Sequence, residues 1–210
     1  MFPDLTRDDV FRLETSRLWL RWPRLADAPG LERLASDRAV AEMTAGIPHP
    51  YPQGSAVAFV KKRRDWNAGG KALAMVLTLR EDPTSPIGTV SLSQTRGDGH
   101  PGLTAWLGRT HWGEGYATEA ARAMIDAYFS YTEGPEIRAS ARVINPAARR
   151  VLEKCGFAYL GSGLAPSPAR GGVVPSDEFR LDRRAWASLK SWSGLRYVPQ
   201  RTGAQEALGA

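Results

Sequence analysis

The sequence predicts a single α/β domain, and three observations predict it. A glycine-punctuated turn, His111-Trp112-Gly113-Glu114-Gly115-Tyr116, lies between an apolar strand and an alanine-rich helix. Downstream, Ile137, Ala139, Ala141 and Val143 alternate with polar residues, the two-residue period of a strand with one buried face. Asn145-Pro146 then opens a second helix, Gly156 closes it, and Phe157-Ala158-Tyr159-Leu160 resumes as a strand. A chain of 210 residues with 42% hydrophobic content can bury one core, and neither a linker nor an internal repeat interrupts it before the tail.

Taken in order, Asp27 caps a helix to about residue 36 with Leu31, Leu34 and Ala35 inward, and Ser55 caps another that buries Ala56, Phe59 and Val60. Between them, the three prolines of Gly46-Ile47-Pro48-His49-Pro50-Tyr51-Pro52 prevent regular structure and stiffen the segment. Residues 73–79 and 87–92 read as adjacent strands joined by a turn at Asp82-Pro83. A short buried strand, 103–107, leads into the glycine turn. In the helix that follows, Ala117, Ala120, Ala121, Met124, Ile125 and Tyr128 share one face, and Gly134-Pro135 stops it. Ala148, Val151, Leu152 and Cys155 line the inner face of the next helix. The glycines and prolines of 161–175 predict a long exposed loop, and 199–210 predicts a frayed end.

Gly113 and Gly115 permit strained dihedrals and close backbone approach, so successive N–H groups can converge on phosphate oxygens at the positive end of the helix dipole. A phosphate-bearing cofactor is the expected ligand. The glycine fingerprint of dinucleotide folds is missing, as is a Gly-Lys-Ser/Thr triplet, so those two cofactor classes fall in rank. The net charge of +6 suits capture of a polyanion. Its densest cluster, Lys61-Lys62-Arg63-Arg64, reads as a solvated helix face. No zinc spacing of Cys and His is present and no aromatic-basic interleaving, which argues against a metal and against nucleic acid. The lone Cys155 excludes an internal disulfide and reads as a small buried hydrophobe. No apolar run approaches the roughly 18 residues that span a bilayer, and no signal peptide is evident, so a soluble cytoplasmic enzyme is expected. Trp19, Trp22, Trp66, Trp106 and Trp186 read as core or rim fillers, and an exposed Trp192 is compatible with a homodimer.

Residues 112–121 together with Asn145-Pro146-Ala147-Ala148-Arg149-Arg150-Val151-Leu152-Glu153-Lys154-Cys155-Gly156-Phe157 resemble the two acetyl-CoA-binding motifs of the GNAT acyltransferase superfamily, in particular its ribosomal-protein N-terminal acetyltransferase branch. Leu13-Glu14-Thr15-Ser16-Arg17-Leu18-Trp19-Leu20-Arg21 is similar to that branch's first strand, and Phe179-Arg180-Leu181-Asp182-Arg183-Arg184-Ala185-Trp186 to its last. The likeness spans residues 11–190, leaving 191–210 as a C-terminal extension. It implies a mixed, mostly antiparallel central sheet, splayed at its middle, with helices on both faces. It also implies an N-acetyltransferase in which a primary amine, from a protein N-terminus or a small molecule, attacks acetyl-CoA directly.

The resemblance assigns cofactor binding to Trp106, Leu107, Trp112, Gly113, Glu114, Gly115, Tyr116, Ala117, Thr118 and Asn145, and an oxyanion-stabilising N–H to Trp106 or Leu107. Trp112 stands where the family usually has Gln or Arg, so a side-chain contact to the phosphates is lost while the main-chain donors remain. Gly102 stands where many relatives carry a catalytic Glu, which leaves nearby Asp98 and His100 as candidates, with His100 the better base by its unperturbed pKa. Ala148 replaces a Ser that would protonate the leaving sulfur, with Ser140 and Tyr159 as imaginable substitutes. His49 and Tyr51 match the region that shapes the acceptor pocket, and His111 reads as structural. With functional groups missing at Gly102 and Ala148, an acyl-CoA-binding sensor with little turnover is the alternative.

Overall fold

The structure, a computed structural model, describes residues 2–94 and 99–192. Asp98, the tail from 199 to 210 and the side chain of Trp192 lie outside the described residues. The chain opens with β1 (Arg12–Glu14) and β2 (Leu18–Arg21), followed by α1 (Ala28–Ala35), α2 (Arg38–Met43) and α3 (Ser55–Ala68). Next come β3 (Ala72–Leu79), β4 (Pro86–Gln94) and β5 (Pro101–Leu107), then α4 (Tyr116–Tyr131), β6 (Glu136–Arg142) and α5 (Pro146–Lys154). A hairpin of β7 (Ala158–Ser167) and β8 (Gly172–Asp182) leads to α6 (Arg183–Trp192).

The strands form one sheet in the order β1-β2-β3-β4-β5-β6-β8-β7. Every neighbouring pair is antiparallel except β5 and β6, whose parallel pairing comprises just the rungs Gly102↔Arg138 and Leu103↔Ala139. Beyond Leu103 the two strands part, which is the expected splay. Alternation along β3 puts a helical layer on each face. Leu73, Met75 and Leu77 join Ala120, Met124 and Ile125 of α4 in the main core, while Val76 packs with Ala28 and Leu31 of α1 and Ala56 and Val60 of α3.

Several expectations are corrected. Residues 161–175 are not a loop: they belong to the hairpin, paired from Ala158↔Arg180 to Ser167↔Gly172. Gly161, Gly163 and Pro166 are tolerated because β7 is the sheet's edge strand, where an absent N–H or side chain costs least, and Gly172 and Pro175 of β8 precede Ser176, where the pairing with β6 ends. Residues 13–21 make two strands around a turn at Thr15 to Arg17. The cap of α3 is Gly54 at φ 75°, with Ser55 the first helical residue. Asp37 caps the unforeseen α2 by accepting from the Ala39 N–H at 2.8 Å.

Asp27 does not cap α1 through its side chain. Its carboxylate instead takes both terminal nitrogens of Arg21 at 2.8 Å, with side-chain exposures of 7% for Arg21 and 2% for Asp27. A buried guanidinium needs such a bidentate partner more than the helix needs a cap.

Candidate functional site

Gly113 and Gly115 both adopt left-handed backbone, at φ 84° and 82°, in the loop between β5 and α4. A Cβ at Gly113 would meet nothing within 4 Å, so the requirement there is conformational. In α4 the Glu119 N–H reaches the Gly115 carbonyl at 3.1 Å. The N–H groups of Tyr116, Ala117 and Thr118 precede that bond and stand at the positive end of the dipole, free for an anionic acceptor.

A carboxylate and a guanidinium brace this turn, and the sequence reading missed both. Glu119 Oε1 accepts from Thr15 Oγ1 at 2.6 Å, Ser16 Oγ at 3.0 Å and the Arg17 N–H at 2.9 Å, while Oε2 accepts from Arg17 Nε at 2.8 Å. Arg17 also donates to the Glu114 carbonyl at 2.9 Å and lies 4.5 Å over the Tyr116 ring. Burial works to raise the Glu119 pKa, but the hydrogen bonds from Thr15, Arg17 and Ser16 outweigh it and hold the carboxyl below its ordinary value. A first-turn Glu was the available signal, since acids are favoured at that end of a helix.

The direction of the β5 amides follows from its partners. Gly108 N–H donates to the Ile87 carbonyl at 2.9 Å, and a Cβ on Gly88 would strike the Trp106 carbonyl at 2.2 Å, so Trp106 and Gly108 face β4. By the strand's period of two, Ala105 and Leu107 turn their N–H and C=O groups to the opposite edge, where the pairing with β6 has ended. The Leu107 carbonyl is met there by Trp112 Nε1 at 2.9 Å. Its N–H points into the gap.

A cavity of about 410 Å³ borders that gap along Leu103 to Trp106, with Leu107 itself outside its lining, and runs from Ala117 and Ala121 of α4 to Phe59 and Arg63 of α3. Tyr51, Trp106, Asn145 and Ala148 also line it, as does Ser140. Asn145 keeps its capping role, accepting from the Ala148 N–H at 3.0 Å, and its Nδ2 straps the end of α2 by donating to the Met43 carbonyl at 3.1 Å. Burial, then the charge of Glu32, pushes the Tyr51 phenol above its ordinary pKa, so it stays protonated.

Other candidates fall elsewhere. His100 lies at the opposite end of β5 from Leu107, roughly 20 Å away by strand rise, with Nε2 at 3.6 Å from Glu136 Oε1. That removes it from the cavity. His49 is exposed and does not join Tyr51 in the lining. Tyr159 hydrogen-bonds Ser162 at 2.8 Å outside the cavity, and His111 Nδ1 is 3.1 Å from Thr110 Oγ1. Gly102 is buried on a paired rung. Burial above all pushes the Cys155 thiol up to about 11, keeping it a neutral hydrophobe. The run 61–64 is only half a solvated face: Lys61 and Lys62 are exposed, Arg64 pairs with Asp9 at 2.8 Å, and Arg63 turns into the cavity.

Among the described residues, no group of three or more His, Cys, Asp or Glu side chains could hold a metal ion, and no helix is long and apolar enough to cross a membrane.

Comparison with known proteins agrees with this architecture. The uncharacterized N-acetyltransferase p20 of Bacillus licheniformis is 27% identical over 176 residues, covering 83% of this chain and 98% of that protein. Among solved structures, RimL, a ribosomal alpha-N-protein acetyltransferase in complex with coenzyme A, superposes with a TM-score of 0.70 at 15% identity, over 83% of this chain and 99% of its own. MccE, a microcin self-immunity acetyltransferase in complex with acetyl-CoA and AMP, gives a TM-score of 0.68 at 19% identity, over 80% and 93%. Residues 17–158 match the family model described as an acetyltransferase (GNAT) domain, and that span, well over half the sequence, carries the glycine turn, the splay and the Asn145 helix: the chain belongs to the GNAT acetyltransferase family.

Proposed function

We propose that this protein is an N-acetyltransferase that moves an acetyl group from acetyl-CoA to a primary amine, of a protein N-terminus or a small molecule, by direct attack in a ternary complex. The observation that carries the reading is the splay of β5 from β6 beyond Leu103, which leaves the amides of Ala105 and Leu107 unpaired, with Ala105 lining a cavity beside a glycine turn. The main-chain N–H groups of Gly113 to Thr118 hold the diphosphate, a role that needs little from side chains and therefore survives the presence of Trp112. Asn145 borders the pantetheine arm.

Acetyl-CoA supplies a thioester carbonyl at which the amine nitrogen forms its bond to carbon while the carbon–sulfur bond breaks. The Leu107 N–H is the donor for the negative charge that develops on the carbonyl oxygen, a contribution of about 3 kcal/mol for a preorganised donor in a dry site. Trp112 keeps that donor in place by holding the carbonyl of the same residue. Ser140, one of three serines in the lining with Ser91 and Ser176, is a candidate for the hydroxyl missing at Ala148. Neither a carboxylate nor an imidazole is among the described residues lining the cavity. The amine therefore sheds its proton to water, and the cavity admits it neutral.

That lack of a base also favours a second reading, an acyl-CoA sensor with little turnover. A thiol-release assay over an amine panel, run with thermal stabilisation by acetyl-CoA, separates the two. A transferase shows both signals. A sensor shows stabilisation alone.

A further inference from the structure

We infer that the acceptor carries an anionic group, a carboxylate or a phosphate, on the same molecule as its amine, and that Arg63 and Arg142 seat it. The inference rests on the transferase reading for the amine, and on the cavity itself for the anion. Arg63 comes from α3 and Arg142 from the end of β6, and both line the cavity bordered by Leu103 to Trp106 of β5. No Asp, Glu or His lies among the described lining residues, so two positive charges face one sheltered space with no carboxylate in its lining.

Each arginine keeps a donor in hand. The Arg63 guanidinium lies over the Phe59 ring at 5.0 Å and the Trp66 ring at 4.9 Å, which fixes its plane, and its Nε is buried without an acceptor. Burial alone pulls its pKa below the ordinary value, with no carboxylate opposing. Arg142 donates through Nη1 to the Glu42 carbonyl, yet its Nε is likewise buried and unmet. Burial first, and then the charge of Arg170, lowers its pKa; Glu42 opposes, but that carboxylate is already held by Arg38 at 2.7 Å. Ser91 Oγ, on β4, adds a third buried polar atom without a partner in the same lining.

Buried donors left unmet are costly, and a guanidinium is shaped to take two oxygens of a carboxylate or phosphate at once. An ammonium entering alone would be repelled by both arginines. A molecule that brings its own anion cancels the repulsion, while the remaining positive potential favours the neutral amine needed for attack. Polycationic amines, aminoglycosides among them, are excluded by the same argument.

The test compares matched acceptors at saturating acetyl-CoA: amino acids against their carboxamides, and phosphoethanolamine against ethanolamine, with spermidine as the polycation. The anionic member of at least one pair should have kcat/KM about tenfold or more above its partner, as expected for a charge-assisted contact. Which pair shows it distinguishes carboxylate from phosphate. Arg63→Gln and Arg142→Gln should each shrink that preference through KM, with the acetyl-CoA-induced rise in Tm retained as proof of fold. Equal or better use of the carboxamides, ethanolamine or spermidine overturns the inference, and so does a preference that survives both variants. Should no amine release CoA, the transferase reading falls separately, and calorimetric titration of the same anionic amines into acetyl-CoA-loaded protein decides the anion seat. Binding that Arg63→Gln removes upholds it, and no binding at millimolar concentration overturns it.

Discussion

The Trp112 indole donates its Nε1–H to the Leu107 carbonyl at 2.9 Å, joining the glycine turn to the end of β5. One hydrogen bond thus sets the position of the glycine turn relative to Leu107, the proposed oxyanion donor. Trp112→Phe should lower kcat/KM for acetyl-CoA several-fold while shifting stability by only about 1 kcal/mol, the value of one hydrogen bond. Steady-state kinetics beside a urea melt checks the split, and equal loss in both would place Trp112 among purely structural residues.

The buried pair of Arg21 and Asp27 is a matter of stability rather than chemistry. Asp27→Ala leaves a buried guanidinium unpaired and should cost about 3–5 kcal/mol in the urea-unfolding free energy. A loss under 1 kcal/mol would mean that the guanidinium finds other partners.

Glu119 links stability to pH. Its folded pKa lies below the unfolded value near 4.5, so its contribution is complete above that value and fades as pH falls through the folded pKa. The Tm difference between wild type and Glu119→Gln should therefore be largest near neutral pH and narrow below about pH 4. A difference that widens with acid would reverse the sign of this linkage.

Cys155, buried and with its thiol pushed up to about 11, should react with a thiol reagent at pH 8 far more slowly than after unfolding. Cys155→Ala should retain acetyl transfer, measured as CoA release, because the proposed direct attack uses no thiol of the enzyme. Loss of turnover in a folded variant would reopen a covalent route.

What the sequence made legible was local. The alternation of 136–142, the Asn145-Pro146 opening and the Gly156 stop are written in neighbouring residues and stand where the periodicity puts them, except that β6 ends at Arg142 and Val143 is exposed in the turn that follows. Asp27 illustrates the limit, because a helix-capping residue and the partner of a buried arginine look alike until Arg21 is folded against it. Glu119 and Arg17 are 102 residues apart in the chain, so beyond the first-turn position of Glu119 nothing local announces their clamp. The 161–175 hairpin was hidden by glycines and prolines that an edge strand tolerates. Arg63 was masked by the charged run around it, although Phe59 and Trp66 on the same helix supplied rings for it to lie on.

The most direct test is a crystal structure with acetyl-CoA bound. Diphosphate oxygens should lie at hydrogen-bonding distance, about 3 Å, from main-chain nitrogens between Gly113 and Thr118, with the thioester oxygen facing the Leu107 N–H. Density for the nucleotide anywhere else, or a carbonyl turned away from β5, would contradict that placement.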